Sequence, residues 1–201
     1  MRFLRTLRAP LNPVIAALVT ACVLIGTLAV MIESRASILR HGEEIVLKTA
    51  PVDPRDLMRG DYVRLRYENI STVDIALITG QWPEKDRMAP LWLTLVAGED
   101  GLADVIEVST ERPFTRAEGE VVLKSKPERL RAASKSGART GSYNLTFGIE
   151  RYYVPEGEGL EIEKARNQER TTVAVRVSED GEAQIARLMI DGETLYAEPL
   201  Y

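Results

Sequence analysis

The feature that most constrains this chain is an uncharged, apolar run near its N-terminus. Nineteen consecutive residues, from Val14 to Ile32, contain no charged side chain and no proline. An α-helix rises about 1.5 Å per residue, so this run covers most of a hydrocarbon core of about 30 Å, and residues 11–13 lengthen it. We therefore expect one transmembrane helix over residues 11–32, followed by a domain that faces water.

Two other interpretations of the run remain. A cleaved signal peptide would have an apolar region of about 7–15 residues and then a small-x-small site, whereas this run is longer and residues 29–34 offer no such site. A buried core helix of a soluble domain would rarely hold about 18 or more apolar residues without a charge. The uncleaved anchor fits the pattern best.

The charges on either side of the run predict its orientation. Arg2, Arg5 and Arg8 precede it, and no acidic residue lies before Glu33. Positive charge beside a span holds that end in the cytoplasm, so the C-terminal domain should be extracytoplasmic, in the periplasm of a cell with an inner membrane. The predicted organisation is a cytoplasmic N-terminus (1–10), a transmembrane helix (11–32), a helical linker ending at Gly42 (33–42), and a β-rich domain (43–201).

Composition limits the chemistry of the outer domain. The 201-residue chain has a formal net charge of −4, and all 30 acidic residues follow the apolar run. An acidic domain is a poor candidate for general nucleic-acid binding. The only cysteine, Cys22, lies inside the run, so the domain has no disulfide and no thiolate nucleophile.

The outer domain shows a period of two, which is typical of strands. Val63, Leu65 and Tyr67 fall on one face of residues 62–67, with polar residues between them. Strands are also predicted at 44–49, 73–79, 91–97, 105–109, 120–124, 143–150, 171–177 and 183–190, with Asp180-Gly181 as a hairpin turn. This spacing predicts an all-β sandwich or partly open barrel. Short helices are expected only at 54–58 and 160–168.

Residues 60–67 spell Gly-Asp-Tyr-x-x-Leu-x-Tyr. This string resembles the signature of the GDYXXLXY family, and residues 50–59, residues 147–157 and Asp191-Gly192 are similar to other parts of the family pattern. The resemblance implies a membrane-anchored bacterial protein of unknown function that accompanies multi-spanning membrane proteins. It implies no catalytic residue and no cofactor.

The motif and its downstream companion supply the candidate partner surface. In the motif, Gly60 permits a left-handed exit from the preceding turn and Asp61 can cap it, so the segment can equally be a scaffold. Alternation places one ring of the pair Tyr152-Tyr153 inward and the other outward. The candidate residues are Gly60, Asp61, Tyr62, Leu65, Tyr67, Glu150, Tyr152, Tyr153 and Pro155.

A basic stretch between residues 124 and 141 has three open interpretations. It holds Lys124, Lys126, Arg129, Arg131, Lys135 and Arg139 against a single acid, Glu128. It can be a mobile solvated loop, it can pair with the acidic stretch 150–163, or it can contact anionic lipid headgroups or an acidic partner.

Catalytic patterns are weak. The one histidine, His41, stands alone beside the predicted helix end, and the chain contains no Ser-x-x-Lys. Carboxylates at Asp53, Asp56, Asp61, Glu150 and Glu156 remain candidates, because a pair about 5–9 Å apart can hydrolyse glycosides and a cluster can bind Ca²⁺. With 30 acidic residues, chance pairs are easy to find.

We therefore expect no metal, no cofactor and no catalytic activity. The expected role is an accessory subunit of another integral membrane protein, which would be reached through the bilayer anchor and the exposed aromatic residues. The alternative is a carboxylate-dependent hydrolase that acts on cell-envelope material. A third possibility is that the anchor helix itself, through Gly26, Thr27 and Ala29, is the interacting element.

Overall fold

The computed structural model describes residues 12–52, 62–132, 141–155 and 158–199. The chain divides into two compact units, Met1–Ser37 and Ile38–Tyr201. The long helix α1 (Pro13–His41) begins in the first unit and ends in the second. The architecture is a β-rich domain on an N-terminal helix, which confirms the predicted fold class.

Helix α1 satisfies its own polar groups throughout the apolar run. It begins at Pro13, where a missing N–H is harmless, and Asn12 Oδ1 accepts the N–H of Val14 at 3.0 Å. The hydroxyls of Thr20 and Thr27 donate to backbone carbonyls one turn earlier, at 2.9 and 2.8 Å. Such pairing is what a hydrocarbon environment requires. Within the described ranges, α1 is the one helix long and apolar enough to cross a membrane.

Helix α1 ends one residue before Gly42. The N–H of Gly42 donates to the carbonyl of Ile38 at 2.8 Å, and a Cβ at position 42 would lie 2.5 Å from that oxygen. A side chain at position 42 would therefore clash with the last turn of α1, and strand β1 starts at the next residue, Glu43.

Within its described residues, the domain contains short strands, one 3-10 turn (Ile75–Leu77) and one further helix, α2 (Gly159–Asn167). The strands are β1 (Glu43–Lys48), β2 (Tyr62–Arg64), β3 (Thr72–Asp74), β4 (Ile78–Thr79), β5 (Arg87–Ala89), β6 (Trp92–Ala97), β7 (Ala103–Ser109), β8 (Val121–Lys124), β9 (Glu128–Leu130), β10 (Ser142–Asn144), β11 (Arg151–Tyr153), β12 (Thr171–Val177), β13 (Ala183–Ile190) and β14 (Glu193–Ala197).

Two four-stranded sheets dominate the domain, with the orders β1-β12-β13-β14 and β4-β7-β6-β8. Three two-stranded ladders join β10 to β3, β11 to β2, and β5 to β9. In the first sheet, β12 and β13 form the predicted hairpin, and Gly181 takes the left-handed conformation (φ 81°) that its turn needs. All pairs are antiparallel except β4 with β7.

One apolar core joins these sheets. Alternate residues of the first sheet point into it, including Leu47, Val173 and Val175, and they meet fully buried leucines of β6, Leu93 and Leu95. Burial of side chains this size stabilises a fold by about 1.5–3 kcal/mol each. The core therefore fixes the frame on which the surface features described below are held.

Three predicted segments differ from the structure in a way that the local chemistry explains. Residues 73–79 do not form one strand, because the Asp74 carboxylate accepts the N–H of Ala76 at 2.8 Å and starts the 3-10 turn. Residues 143–150 break after β10, because Gly148 (φ 88°) turns the chain. Strand β2 ends at Arg64, and beyond it the chain continues with single backbone contacts, among them an isolated bridge from Tyr67 to Thr49.

The helix predicted at 160–168 is confirmed as α2, whereas the helical turn predicted at 54–58 lies outside the described residues. Strands β5, β9, β11 and β14 were not predicted. Each of them is only three to five residues long, too short for a period of two to stand out in the sequence.

Candidate functional site

Two of the stretches that carry the family resemblance, residues 60–67 and 147–157, pair with each other. Strand β2 runs antiparallel to β11, with Tyr62 opposite Tyr153 and Arg64 opposite Arg151. Residues opposite each other in a ladder point to the same side. The structure therefore brings together two segments that lie about 90 residues apart in the chain, at 62–64 and 151–153.

The inward side of this ladder is structural. Val63 is completely buried opposite Tyr152, which is 6% exposed and packs with its ring centroid 6.1 Å from that of Tyr196. Burial, with a smaller effect from Glu198, raises the pKa of the Tyr152 hydroxyl. Leu65, 3% exposed, continues this apolar side.

Tyr67, the last residue of the motif, holds the ladder to the turn that precedes β11. Its ring is 1% exposed, and its hydroxyl donates to the Ile149 carbonyl at 2.6 Å. Its backbone N–H donates to the Ser71 hydroxyl at 2.9 Å. Burial, helped by the nearby Glu150 charge, raises the pKa of the Tyr67 phenol well above its ordinary value, so the ring stays neutral.

Glu150 closes the turn before β11. Its carboxylate accepts the backbone N–H groups of Phe147 and Gly148, at 2.5 and 2.9 Å. The Glu150 carbonyl also accepts the N–H of Leu65 at 2.9 Å. A carboxylate held in this way is a turn cap, and this geometry does not aim it at a cleft.

The outward side of the ladder carries aromatic rings and guanidinium groups. The ring centroids of Tyr62 and Tyr153 lie 6.0 Å apart, tilted by 58°, and the Arg151 guanidinium lies 5.4 Å from the Tyr62 centroid. Tyr153 is 70% exposed. We call Tyr62, Arg64, Arg151 and Tyr153 the aromatic–arginine face.

A buried arginine supports this face from behind and was missed by the sequence reasoning. Arg166 of α2 is 1% exposed, and its Nη1 donates to the Arg64 carbonyl at 2.5 Å. Its Nε and Nη2 donate to Asn167 Oδ1 at 3.2 and 3.0 Å. Desolvation lowers the pKa of Arg166, and the charge of Glu163 opposes that shift.

Helical spacing was the one signal that could have located Arg166. It shares a face of α2 with Ile162 and Ala165, both buried. The period therefore places it inward, but arginine is so seldom buried that composition argues the other way.

The basic residues at 124–141 do not form a single loop. Lys124 ends β8 and Arg129 lies in β9. Lys124 and Lys126 both pair with Glu182, at 3.2 and 3.0 Å, and Arg129 pairs with Asp86 at 3.1 Å. These acidic partners, Glu182 and Asp86, lie outside the stretch 150–163 that was considered as the pairing partner.

The pKa values of both carboxylates, Glu182 and Asp86, are lowered in the fold. Burial disfavours the charge on Glu182, but the hydrogen bonds from Lys126 and Lys124 outweigh it and lower the Glu182 pKa. The N–H of Ala132, followed by Arg129, lowers the pKa of Asp86. Arg131 contributes its backbone N–H to the Tyr143 hydroxyl at 3.3 Å.

Of the remaining sequence-based candidates, Pro155 is exposed two residues after the end of β11. The candidates that lie outside the described residues are Asp53, Asp56, Gly60, Asp61, Lys135, Arg139 and Glu156. The proposed carboxylate pair is therefore represented only by Glu150. In the described part of the chain, no group of three or more His, Cys, Asp or Glu side chains is arranged to hold a metal ion.

Comparison with known proteins gives one result. The family model described as "GDYXXLXY protein" matches residues 24–188. A search of curated proteins and a search of solved structures found no significant match to the chain. Because the family model covers most of the chain, including α1 from Leu24 and both strands of the aromatic–arginine face, this chain belongs to the GDYXXLXY family.

Proposed function

We propose that this GDYXXLXY protein is a single-pass membrane protein whose extracytoplasmic β domain binds a multi-spanning membrane protein as an accessory subunit. In this proposal the N-terminus is cytoplasmic and α1 is an uncleaved anchor. The observation that carries the binding role is the aromatic–arginine face, which is exposed but built on a buried frame.

The N-terminal charges support the orientation, and the continuous helix supports an anchor that is retained. Arg2, Arg5 and Arg8 precede the apolar run, which favours a cytoplasmic N-terminus. Helix α1 continues without a break to His41, nine residues past the end of that run. A continuous helix leaves no cleavage-prone, extended segment at the signal-peptide position, which supports an anchor that is retained.

The binding role is supported by the composition and rigidity of the aromatic–arginine face. Tyrosine and arginine are enriched among the residues that dominate binding energy at protein interfaces. Here Tyr153 projects 70% exposed from a paired strand, while Tyr67 and Arg166 hold the ladder from within. A preformed surface loses little conformational entropy when a partner binds.

The hydrolase alternative gains no support from the described residues. Of its candidate carboxylates only Glu150 is described, and its oxygens accept two backbone N–H groups at a turn. A general acid must lie within hydrogen-bond reach of its substrate, whereas both Glu150 carboxylate oxygens are engaged by backbone N–H groups of the turn. We therefore propose binding and not hydrolysis.

Purification of the full-length chain from mild detergent tests the proposal. We expect a multi-spanning protein to co-elute at fixed stoichiometry. We expect Tyr153→Ala to weaken that association by about 2 kcal/mol, which is roughly thirty-fold in affinity. The matched control is Leu77→Ala, which also truncates a side chain about as exposed (69%) outside the face. A chain that elutes alone, or a partner retained equally by both variants, contradicts the proposal.

A further inference from the structure

We propose that the loop of residues 110–120, between β7 and β8, is a second membrane contact of this chain. In this proposal Phe114 inserts into the interface of the phospholipid bilayer that holds α1. The inference rests on the anchor in the proposed function but not on the partner protein.

The loop is shaped by its own hydrogen bonds. The Glu111 N–H donates to the Ser109 hydroxyl at 3.1 Å where β7 ends. Farther on, the Ala117 N–H donates to the Glu120 carboxylate at 2.8 Å, and the Glu120 N–H donates to the Ala117 carbonyl at 3.2 Å. These bonds close both ends of the loop and leave Phe114 at its tip.

Phe114 is completely exposed, at 100%. The next most exposed large hydrophobic side chains of the described domain are Tyr153 at 70% and Leu77 at 69%. Tyrosine can keep its hydroxyl in water, but phenylalanine has no polar end. Transfer of this fully exposed ring into an apolar phase outside the domain would remove its whole apolar surface from water, which is favourable.

The surroundings of Phe114 suit a bilayer interface. A groove of about 610 Å³ lies beside it, lined by Pro113 and Val122 together with Arg112 and Arg116. Arg112 and Arg116 pair with Asp180 at 3.5 Å and Glu43 at 3.3 Å, so the groove is apolar surface beside charges that are already paired. Aromatic rings concentrate at the depth of a bilayer interface.

The loop is not a simple basic patch. Glu111 and Glu179 also line the groove, and Arg112 donates to the Glu179 carbonyl at 2.6 Å. The apolar insertion of Phe114 should therefore contribute more than the attraction of positive charge to anionic lipid. The occupant we assign is the bilayer itself and not an acidic protein.

An ion pair ties this loop to the part of the domain nearest the anchor in the chain. Arg116 Nη1 lies 3.3 Å from Glu43 Oε1. Glu43 is the first residue of β1, directly after the helix end, and follows Ile32 by eleven residues. Eleven residues span about 16 Å as a helix and at most about 40 Å extended, so the chain keeps this loop within reach of the membrane surface.

The basic residues at 124–131 are weaker candidates for lipid contact than this loop. Lys124, Lys126 and Arg129 all pair with carboxylates, Glu182 and Asp86. Moving them to headgroups would break those ion pairs, whereas inserting Phe114 breaks no contact inside the domain because its side chain is fully exposed.

Fluorescence of the full-length chain in bilayers tests the inference. The chain is reconstituted into vesicles of phosphatidylethanolamine and phosphatidylglycerol, with and without bromine on the acyl chains. Phe114→Trp adds an indole at the loop tip, and the emission of Trp82 and Trp92 in the wild-type chain is subtracted. Leu77→Trp is the matched control, because Leu77 is exposed but lies in the 3-10 turn of another loop.

We expect the indole added at position 114 to emit at a shorter wavelength than one in water and to lose most of its intensity with brominated lipid. The indole at position 77 should show neither change. Emission at position 114 typical of water, or equal quenching at both positions, overturns the inference. Co-flotation of the chain with the vesicles reports on the anchor separately, so failure of the loop contact is distinguishable from failure of the anchor.

Discussion

Among single residues, Tyr67 and Tyr153 show how differently two tyrosines beside the β2–β11 ladder are used. The hydroxyl of Tyr67 is buried and bonded to the Ile149 carbonyl, whereas Tyr153 is 70% exposed. The first stabilises the frame, and the second is available to a partner. Residue type does not separate these roles, but burial does.

This difference predicts that removing the hydroxyl oxygen destabilises the domain at Tyr67 but not at Tyr153. Tyr67→Phe deletes a buried hydrogen bond and leaves the Ile149 carbonyl short of a donor, so the free energy of unfolding should fall by about 1–2 kcal/mol. Tyr153→Phe, the matched control, should change it by less than about 0.5 kcal/mol. Urea unfolding of the full-length chain in detergent measures both. Equal losses would contradict the structural role of Tyr67.

Arg166 gives a second test at this scale. Arg166→Ala removes a buried side chain and the donor to the Arg64 carbonyl, and we expect a loss of about 3 kcal/mol in the free energy of unfolding. The control is Lys164→Ala on the same helix, where the side chain is exposed and the loss should stay below about 0.5 kcal/mol. If both variants unfold alike, Arg166 does not support β2.

At the scale of elements, the β12–β13 hairpin does more than reverse the chain. The carbonyl of Gly181 accepts the Lys124 N–H at 2.9 Å, which fastens the turn to the end of β8. A Cβ at position 181 would lie 2.8 Å from the Cβ of Lys124. The turn between β13 and β14 has a similar glycine, Gly192, with φ 82° and nothing near its missing Cβ.

Substituting each of these two glycines distinguishes the cost of backbone strain from the cost of a packing clash. Gly192→Ala should cost about 1 kcal/mol, because only the left-handed backbone opposes it. Gly181→Ala should cost about 2–4 kcal/mol, since it adds a clash with β8 to the same strain. Thermal or urea unfolding of both variants measures the difference. A cost at position 181 no larger than that at position 192 would show that the turn is not packed against β8.

The same elements show how far the sequence could predict the fold. The β12–β13 hairpin was predicted because its alternation and its Asp-Gly turn agree. The prediction of one strand over residues 143–150 was wrong. The Glu150 carboxylate accepts the N–H groups of Phe147 and Gly148 and so stabilises a turn inside an alternating stretch. Strand β9 was not predicted, because its pairing partner β5 lies 41 residues away in the chain and neither strand shows an alternating pattern.

The candidate site was predictable only in part. Period-two alternation and the family string selected Tyr62, Leu65, Tyr67 and the Tyr152-Tyr153 pair. Their assembly into one ladder depends on antiparallel pairing between distant segments, which no local pattern encodes. Arg166 was missed because burial of an arginine runs against its ordinary preference for water.

At the scale of the whole molecule, the first question is the side of the membrane on which the domain lies. Cysteine labelling tests it, with Leu77→Cys as an exposed probe in a Cys22→Ser background. A membrane-impermeant maleimide should label position 77 in intact spheroplasts, as the N-terminal arginines predict. Labelling only after lysis would place the domain in the cytoplasm.

The aromatic–arginine face is proposed to bind a multi-spanning membrane protein, and photo-cross-linking in living cells tests this proposal. A benzophenone amino acid replaces Tyr153 in the full-length chain, and the same group replaces Leu77 as the control at similar exposure. We predict one dominant adduct with an integral membrane protein from position 153 and none from position 77. Adducts only with lipid, or the same adducts from both positions, would contradict the claim.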